Sequence, residues 1–348
     1  MTICHSVERS LTLEVRQVQT PLPATGRPSG PAVHDLITIG RCGVDVYPLQ
    51  TGVGLADVET FGKFLGGSPT NVAVAAARHG LRPAVITAVG ADPFGDFVRR
   101  AIRGFGVDDA YVSTIEGPPT PVTFCEIFPP DHFPIYFYRG DHPPDLRISP
   151  DLLDLDAIAA TSLFWFSLTG LSKEPSAAAH AAALSARTTG WTVFDLDYRP
   201  SLWESREAAY EAANRALPHA NVAVGNLDEV ETAVGVRDPE AAAQALLDAG
   251  VKVAIVKMGP EGVFARTAEE SALVEPVEVK VVNGIGAGDA FGGAVCLGLL
   301  RGWPLERTIR FANAAGAFVA ARLACADAMP ATADVEDLLN GTENGDRS

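Results

Sequence analysis

Cysteine is scarce in this chain. Its five residues, Cys4, Cys42, Cys125, Cys296 and Cys325, are isolated along 348 positions and never form C-x-x-C. That spacing excludes a disulfide framework or a cysteine zinc cluster and points to a reducing cytoplasm. Positive charge is also short, with 27 Lys and Arg against 43 Asp and Glu, a net charge of −16. The resulting field repels nucleic acid and anionic membrane surfaces, so neither is an expected partner and any anionic ligand must be met by local arginines. No run approaches the ~18 apolar residues of a membrane span, and no apolar segment follows a basic start as a cleaved secretory signal requires. H-E-x-x-H, G-x-S-x-G and the P-loop pattern G-x-x-x-x-G-K-[ST] are all absent, which removes three common enzyme classes.

What the chain does have is ordinary globular content, 47% hydrophobic and 20% charged, at a length that suits one large α/β domain or two modest ones. Short apolar runs rich in β-branched and aromatic residues recur at 36–40, 84–89, 162–168, 192–197, 221–225 and 252–257. Between them lie alanine-rich segments of helical period, such as 69–80, 94–104, 176–189 and 239–249. Strands apolar on both faces belong in a parallel sheet covered by helices, so the body is expected to be an α/β sandwich in three layers. Two segments break the alternation, about 44–65 and 121–140; both read as extended chain and are expected to form a small β lid. Residues 1–33, rich in Pro, Gly and small polar residues, are expected to be a flexible tail before a domain at 34–340, with a second polar tail at 341–348.

The most informative stretch is "VVNGIGAGDAFGGAV", 281–295, where a short strand-like run turns through glycines into a helix. Such a turn presents backbone N–H groups at the positive end of a helix dipole, a cradle for phosphate oxygens. It is not a dinucleotide fingerprint, because Asp289 stands where the last glycine would be and too few residues follow for paired βαβ units. A carboxylate at that point can accept a hydroxyl proton while the amides meet the charge on a transferring phosphoryl group. The same residues also suit a simple helix cap.

A second cluster, "GGSPTNVAVAAARHG" at 66–80, sets Gly66 and Gly67 before Ser68, expected as an N-cap, with Pro69 at N1 and Asn71 in the first turn. Paired glycines allow close backbone approach, and an asparagine can both donate to and accept from sugar hydroxyls.

Together these two segments, Gly66-Gly67-x-x-x-Asn71 and Gly286-Ala287-Gly288-Asp289-Ala290-Phe291, resemble the paired signatures of the ribokinase-like (pfkB-type) carbohydrate kinases over about residues 34–330. The resemblance implies a ribokinase-like three-layer sandwich with a mainly parallel central sheet and a small β lid, use of ATP and Mg2+, and a homodimer through the lid. It implies Asp289 as catalytic base and Gly286, Ala287 and Gly288 as the anion hole. Asp45, Gly66, Gly67 and Asn71 would grip sugar hydroxyls. "GNLDE" resembles the family's N-x-x-E element, with Asn226 on the nucleotide phosphates and Glu229 near magnesium through water; N-x-x-E is equally an ordinary capping box. "VKMGPEG" would place Lys257, Gly259 and Gly262 near ATP, and Asn313 near the adenine. Where many members have Asp-Thr-Thr, this chain has Asn283-Gly284-Ile285, which leaves a monovalent-cation requirement open.

"GRCGVDVYPLQTG" and "FDLDYRPSLW" are similar to the branch of that family that phosphorylates a primary hydroxyl of keto-deoxy sugar acids. A substrate carboxylate needs planar cationic partners, and Arg41, Arg139 and Arg199 are the candidates. Another keto-deoxy sugar acid, fructose, or a catalytically silent sugar-binding regulator remain as alternatives.

Overall fold

A computed structural model describes Leu22 and residues 33–345. Apart from Leu22 and Val33, the expected N-terminal tail lies outside the described residues. The chain begins with β1 (Leu36–Ile39), then β2 (Gly43–Pro48), β3 (Phe61–Gly66), α1 (Ser68–Arg78), β4 (Pro83–Gly90), α2 (Pro93–Gly104) and β5 (Val112–Ile115). It continues through β6 (Val122–Cys125), β7 (Ile135–Tyr138), α3 (Leu155–Ala160), β8 (Leu163–Ser167), α4 (Ser176–Ala186), β9 (Trp191–Asp195) and α5 (Arg206–Ala216). The last part holds β10 (Val222–Asn226), α6 (Leu227–Val234), α7 (Pro239–Asp248), β11 (Val253–Lys257), β12 (Val263–Arg266), β13 (Ser271–Val274), α8 (Ala287–Arg301), α9 (Leu305–Ala320) and α10 (Thr332–Gly345). The segment expected as a polar C-terminal tail from 341 is thus helical as far as Gly345, a continuation of α10.

Nine strands form the central sheet in the order β13-β12-β11-β10-β9-β8-β1-β4-β5. From β11 to β5 every pairing is parallel, and β12 and β13 add an antiparallel edge. Alternate residues feed opposite cores, as a period of two demands. Leu163 and Trp165 of β8 face the layer of α1, α8 and α9, while Phe164 and Phe166 face that of α4, α5 and α7. Phe166 stacks on Phe194 with centroids 4.5 Å apart, tying β8 to β9. Sequence order runs outward from β1 in both directions, to β4 and to β8, which makes the carboxyl ends beside β1 the switch point where open α/β sheets bind ligands.

The two segments that break the alternation make a separate four-stranded sheet, β3-β2-β6-β7, antiparallel except for the β2–β6 pair. It stands over the carboxyl ends of the central strands, and Tyr47 of β2 is buried while Tyr138 of β7 is 67% exposed.

Candidate active site

Polar residues gather at the carboxyl ends of several central strands near the switch point. Arg41 follows β1, Asp195 ends β9 with Asp197 just beyond it, Asn226 ends β10 and Lys257 ends β11. With the lid above and the first turns of α1 and α8 at the side, they surround a cavity of about 640 Å³. A volume of that order suits a small ligand together with part of a second one.

Asp289, in the first turn of α8, occupies the junction. Ser68 Oγ donates to its Oδ1 at 2.7 Å and Asn71 Nδ2 to its Oδ2 at 2.9 Å, so both carboxylate oxygens are held by the first turn of α1. Burial pushes the Asp289 carboxyl above its ordinary range, against the pull of those two hydrogen bonds. Ser68 departs from its expected place: Gly67 is the N-cap, Ser68 is the first helical residue, and its hydroxyl caps nothing. The long-range carboxylate outcompetes the local amide because two helix ends meet here.

The turn before α8 is shaped by Gly286, left-handed at φ 88°, where a Cβ would lie 2.1 Å from Cys325 Sγ. Ala287 N donates to Gly284 O and Asp289 N to Gly286 O, while Gly286 and Gly288 both line the cavity, so α8 offers it the positive end of its dipole. Ala287 stands between them without lining it. Asn283 is fully buried, its Nδ2 donating to Leu323 O and its Oδ1 accepting from Ile285 N, which fixes the approach to this turn.

On the lid side, Asp45 is buried and accepts from Tyr47 Oη at 2.8 Å. Burial raises its carboxyl to about 6. Gly66, paired in the neighbouring strand, is the space Asp45 fills, since a Cβ there would sit 2.0 Å from Asp45 Oδ1. Gly67, at φ 99°, lets α1 start against the Arg41 carbonyl. Gly66 itself does not line the cavity, whereas Gly67, Asn71 and Asp45 do.

All three candidate arginines line the cavity, and each is ion-paired within the chain. Arg41 and Arg199 share Asp197, the latter through Nε to Oδ1 at 2.7 Å. Arg139 Nη2 reaches Asp145 Oδ2 at 2.7 Å. Asp197 is nearly fully buried, yet the Arg199 and Arg41 guanidiniums overcome its desolvation and hold its carboxyl well below the usual range. Asp195 goes the other way, pushed up by burial and by the Asp197 charge.

On the remaining side, Asn226 and Glu229 form a complete capping box. Glu229 N donates to Asn226 Oδ1, and Asn226 N donates to Glu229 Oε2. Both still line the cavity, and Lys257 Nζ lies 4.0 Å from Glu229 Oε2. Burial would lower the Lys257 ammonium, but Glu229, Asp195, Asp289 and Asp197 outweigh it and keep it charged. Gly259 joins this wall. Gly262, in the turn into β12, and Asn313, whose amide donates to Glu275 O at 2.7 Å, lie outside the cavity. Among the described residues no three His, Cys, Asp or Glu side chains gather as a metal site.

Several cavity groups were not legible as site residues. Ser68, Asp195, Asp197 and the lid residues Phe133 and Phe137 all line it. The two aspartates stand at a strand end and could have been found by that position; Phe133 carries no local signal.

A carboxylate held between an arginine-lined cleft and a glycine-built helix N-terminus suits a phosphoryl-transfer enzyme acting on an alcohol. The profile of the pfkB family carbohydrate kinases matches residues 33–332, and the chain belongs to that family. It is 33% identical to the 5-dehydro-2-deoxygluconokinase of Geobacillus kaustophilus (strain HTA426), over 89% of this chain and 95% of the relative. It is 31% identical to the protein of the same name from Clostridium beijerinckii, over 88% of this chain and 92% of that one. The fold matches that of an E. coli protein described as a Ribokinase II, apo form (TM-score 0.81, 24% identity, 88% and 99% covered). It also matches a Xylella fastidiosa fructokinase with bound ATP (TM-score 0.78, 22% identity, 89% and 100% covered). Among the described residues no helix is long and apolar enough to cross a membrane.

Proposed function

We propose that this chain transfers the γ-phosphoryl group of ATP to a primary hydroxyl of a keto-deoxy sugar acid, namely 5-dehydro-2-deoxy-D-gluconate, giving its 6-phosphate in myo-inositol breakdown. The observation that carries the reading is Asp289, held at both oxygens and standing between the arginine-lined cleft and the α8 turn. Asn71 Oδ1 is buried without a hydrogen-bond partner, which suits it to accept from a substrate hydroxyl. Asp45 faces the same cleft. Arg199 is the arginine best placed to take the carboxylate, since its side chain is 38% exposed whereas those of Arg41 and Arg139 are buried.

Asp289 takes the hydroxyl proton as the sugar oxygen bonds to the γ-phosphorus and the bond to the bridging β-oxygen breaks, releasing ADP. The amides around Gly286 and Gly288, with Lys257, meet the charge on the moving group. Glu229 is a single carboxylate beside Lys257, a donor set that suits a magnesium ion arriving with the nucleotide and keeping several waters. Bound there, magnesium would neutralise phosphate charge. Asn226 and Gly259 complete the nucleotide side of the cavity. The exposed aromatics Phe61, Tyr136 and Tyr138 on the lid support a homodimer through that sheet.

The test is an ADP-release assay with ATP and magnesium, comparing 5-dehydro-2-deoxygluconate, 2-keto-3-deoxygluconate and fructose at matched concentrations. The proposal expects the first to be preferred in kcat/KM. Preference for either other sugar overturns the substrate, and silence on all three favours a sugar-binding regulator.

A further inference from the structure

Ser68 spends nothing on its own helix. Its hydroxyl makes no cap hydrogen bond, and it reaches 221 residues along the chain to Asp289 Oδ1 at 2.7 Å. Ser68 Oγ also lies 3.4 Å from Asp195 Oδ2 at the end of β9. A hydroxyl has one proton to give, so it cannot donate to two carboxylates; with Asp289 receiving it at 2.7 Å, a proton on Asp195 turns the longer 3.4 Å approach into a weak hydrogen bond accepted by Ser68. The site supplies the reason. Asp195 is buried beside Asp197, whose charge is kept by two arginines, and this pushes the Asp195 carboxyl up. With that proton in place, Asp195 donates to Ser68, Ser68 to Asp289 Oδ1, and Asn71 to Asp289 Oδ2.

We infer that Ser68 is a positioning residue for the base: held by Asp195, it fixes Asp289 in the orientation that meets the sugar hydroxyl. The inference rests on the assignment of Asp289 as base. The chain of three side chains joins the end of β9, the first turn of α1 and the first turn of α8, so the base is registered against both the sheet and the neighbouring helix. It leaves each Asp289 oxygen a lone pair for substrate. It also removes one negative charge from the region where a triphosphate must sit, leaving Asp197 balanced by Arg41 and Arg199 and Glu229 by Lys257. The charges facing Asp289 are Asp45 on β2, Arg41 after β1, Asp195, Asp197 and Arg199 after β9, and Lys257 ending β11, with the Cys325 thiol 3.9 Å away.

The test is steady-state kinetics of the full chain across pH, using ATP and the best-used sugar, with folding checked by thermal unfolding. Ser68→Ala is expected to lower kcat by about 10–100-fold while both KM values stay within about threefold. Losing a donor raises the Asp289 carboxyl further, so the acid limb of the kcat profile moves to higher pH. Ser68→Thr, which keeps the hydroxyl, recovers most of the rate. Asp195→Asn, which retains a donor to Ser68, loses less than about a tenth of what Asp195→Ala loses. A folded Ser68→Ala with kcat within about twofold of the parent, or with its loss in KM alone, or with an unmoved acid limb, overturns the inference. So does a folded Ser68→Thr no better than Ser68→Ala, or Asp195→Asn as damaging as Asp195→Ala. Asp289→Asn is run alongside: if it works at the parental rate the base assignment itself fails, whereas an inactive Asp289→Asn beside a fully active Ser68→Ala overturns the positioning role alone.

Discussion

Gly293 of α8 lies against Ala75 of α1 with no spare room: a Cβ on Gly293 would sit 2.4 Å from that of Ala75. Gly292, one residue earlier, is pressed in the same way against the Trp165 ring. The two helices approach closely because these residues are small, and that approach lets Asp289 share its carboxylate with Ser68 and Asn71. Gly293→Val should cost about 1–3 kcal/mol through overpacking and lower kcat more than it raises either KM. Thermal unfolding and steady-state kinetics test this, and an unchanged Tm with unchanged kcat would contradict it.

The Gly286 turn makes a separable prediction. Gly286→Ala meets two penalties, a left-handed backbone and overlap with Cys325 Sγ. Adding Cys325→Ala removes the Sγ overlap but leaves the residue 325 Cβ 2.8 Å away and the left-handed backbone cost of about 1–2 kcal/mol. In urea unfolding the double variant should therefore be more stable than Gly286→Ala but less stable than Cys325→Ala. Strict additivity of the two substitutions would show that the contact is not felt.

Arg41 and Arg199 share one carboxylate but not one environment. The Arg41–Asp197 pair is buried at both ends, with side chains 8% and 3% exposed, while that of Arg199 is 38% exposed. Removing a partner from a buried pair costs about 3–5 kcal/mol, so Arg41→Ala should destabilise the fold strongly. Arg199→Ala should also cost stability, though less because Arg41 still pairs with Asp197, and should raise KM for the sugar acid well beyond KM for ATP. Equal loss of both affinities in Arg199→Ala would count against its contact with the substrate carboxylate.

Asp45 ties stability to pH. Its carboxyl is raised from 3.8 to about 6 in the folded chain. The folded state therefore holds a proton that the unfolded state has released, a contribution present at low pH and lost as pH rises through about 6. Asp45→Asn stays neutral throughout and escapes that loss, gaining at most about 3 kcal/mol near pH 8 and almost nothing near pH 4. Urea unfolding at the two pH values decides it, and a gain at low pH alone would reverse the sign.

The layers of the fold were readable because buried parallel strands are apolar on both faces, and the five runs from 84 to 257 all became strands of one sheet. The glycine turn was readable because few sequences set a carboxylate among three glycines at a helix start. Ser68 was misread as a cap because capping is a local rule, whereas its real partner lies 221 residues away. Asn226 and Glu229 show the converse: the local rule is obeyed in full, and only the tertiary fold brings the capping box to the cavity wall. Asn313, expected near the adenine from the resemblance, donates its amide to the backbone of Glu275 and does not line the cavity, a placement that only the tertiary fold gives.

The most direct test of the account is the kcat of Asp289→Asn, a near-isosteric change that keeps one acceptor, for Ser68, and replaces the oxygen facing Asn71 with a donor. With Tm close to that of the parent, the account predicts a fall in kcat of about 10²–10⁴-fold, the share general-base catalysis supplies. A folded Asp289→Asn turning over sugar at close to the parental rate would contradict it.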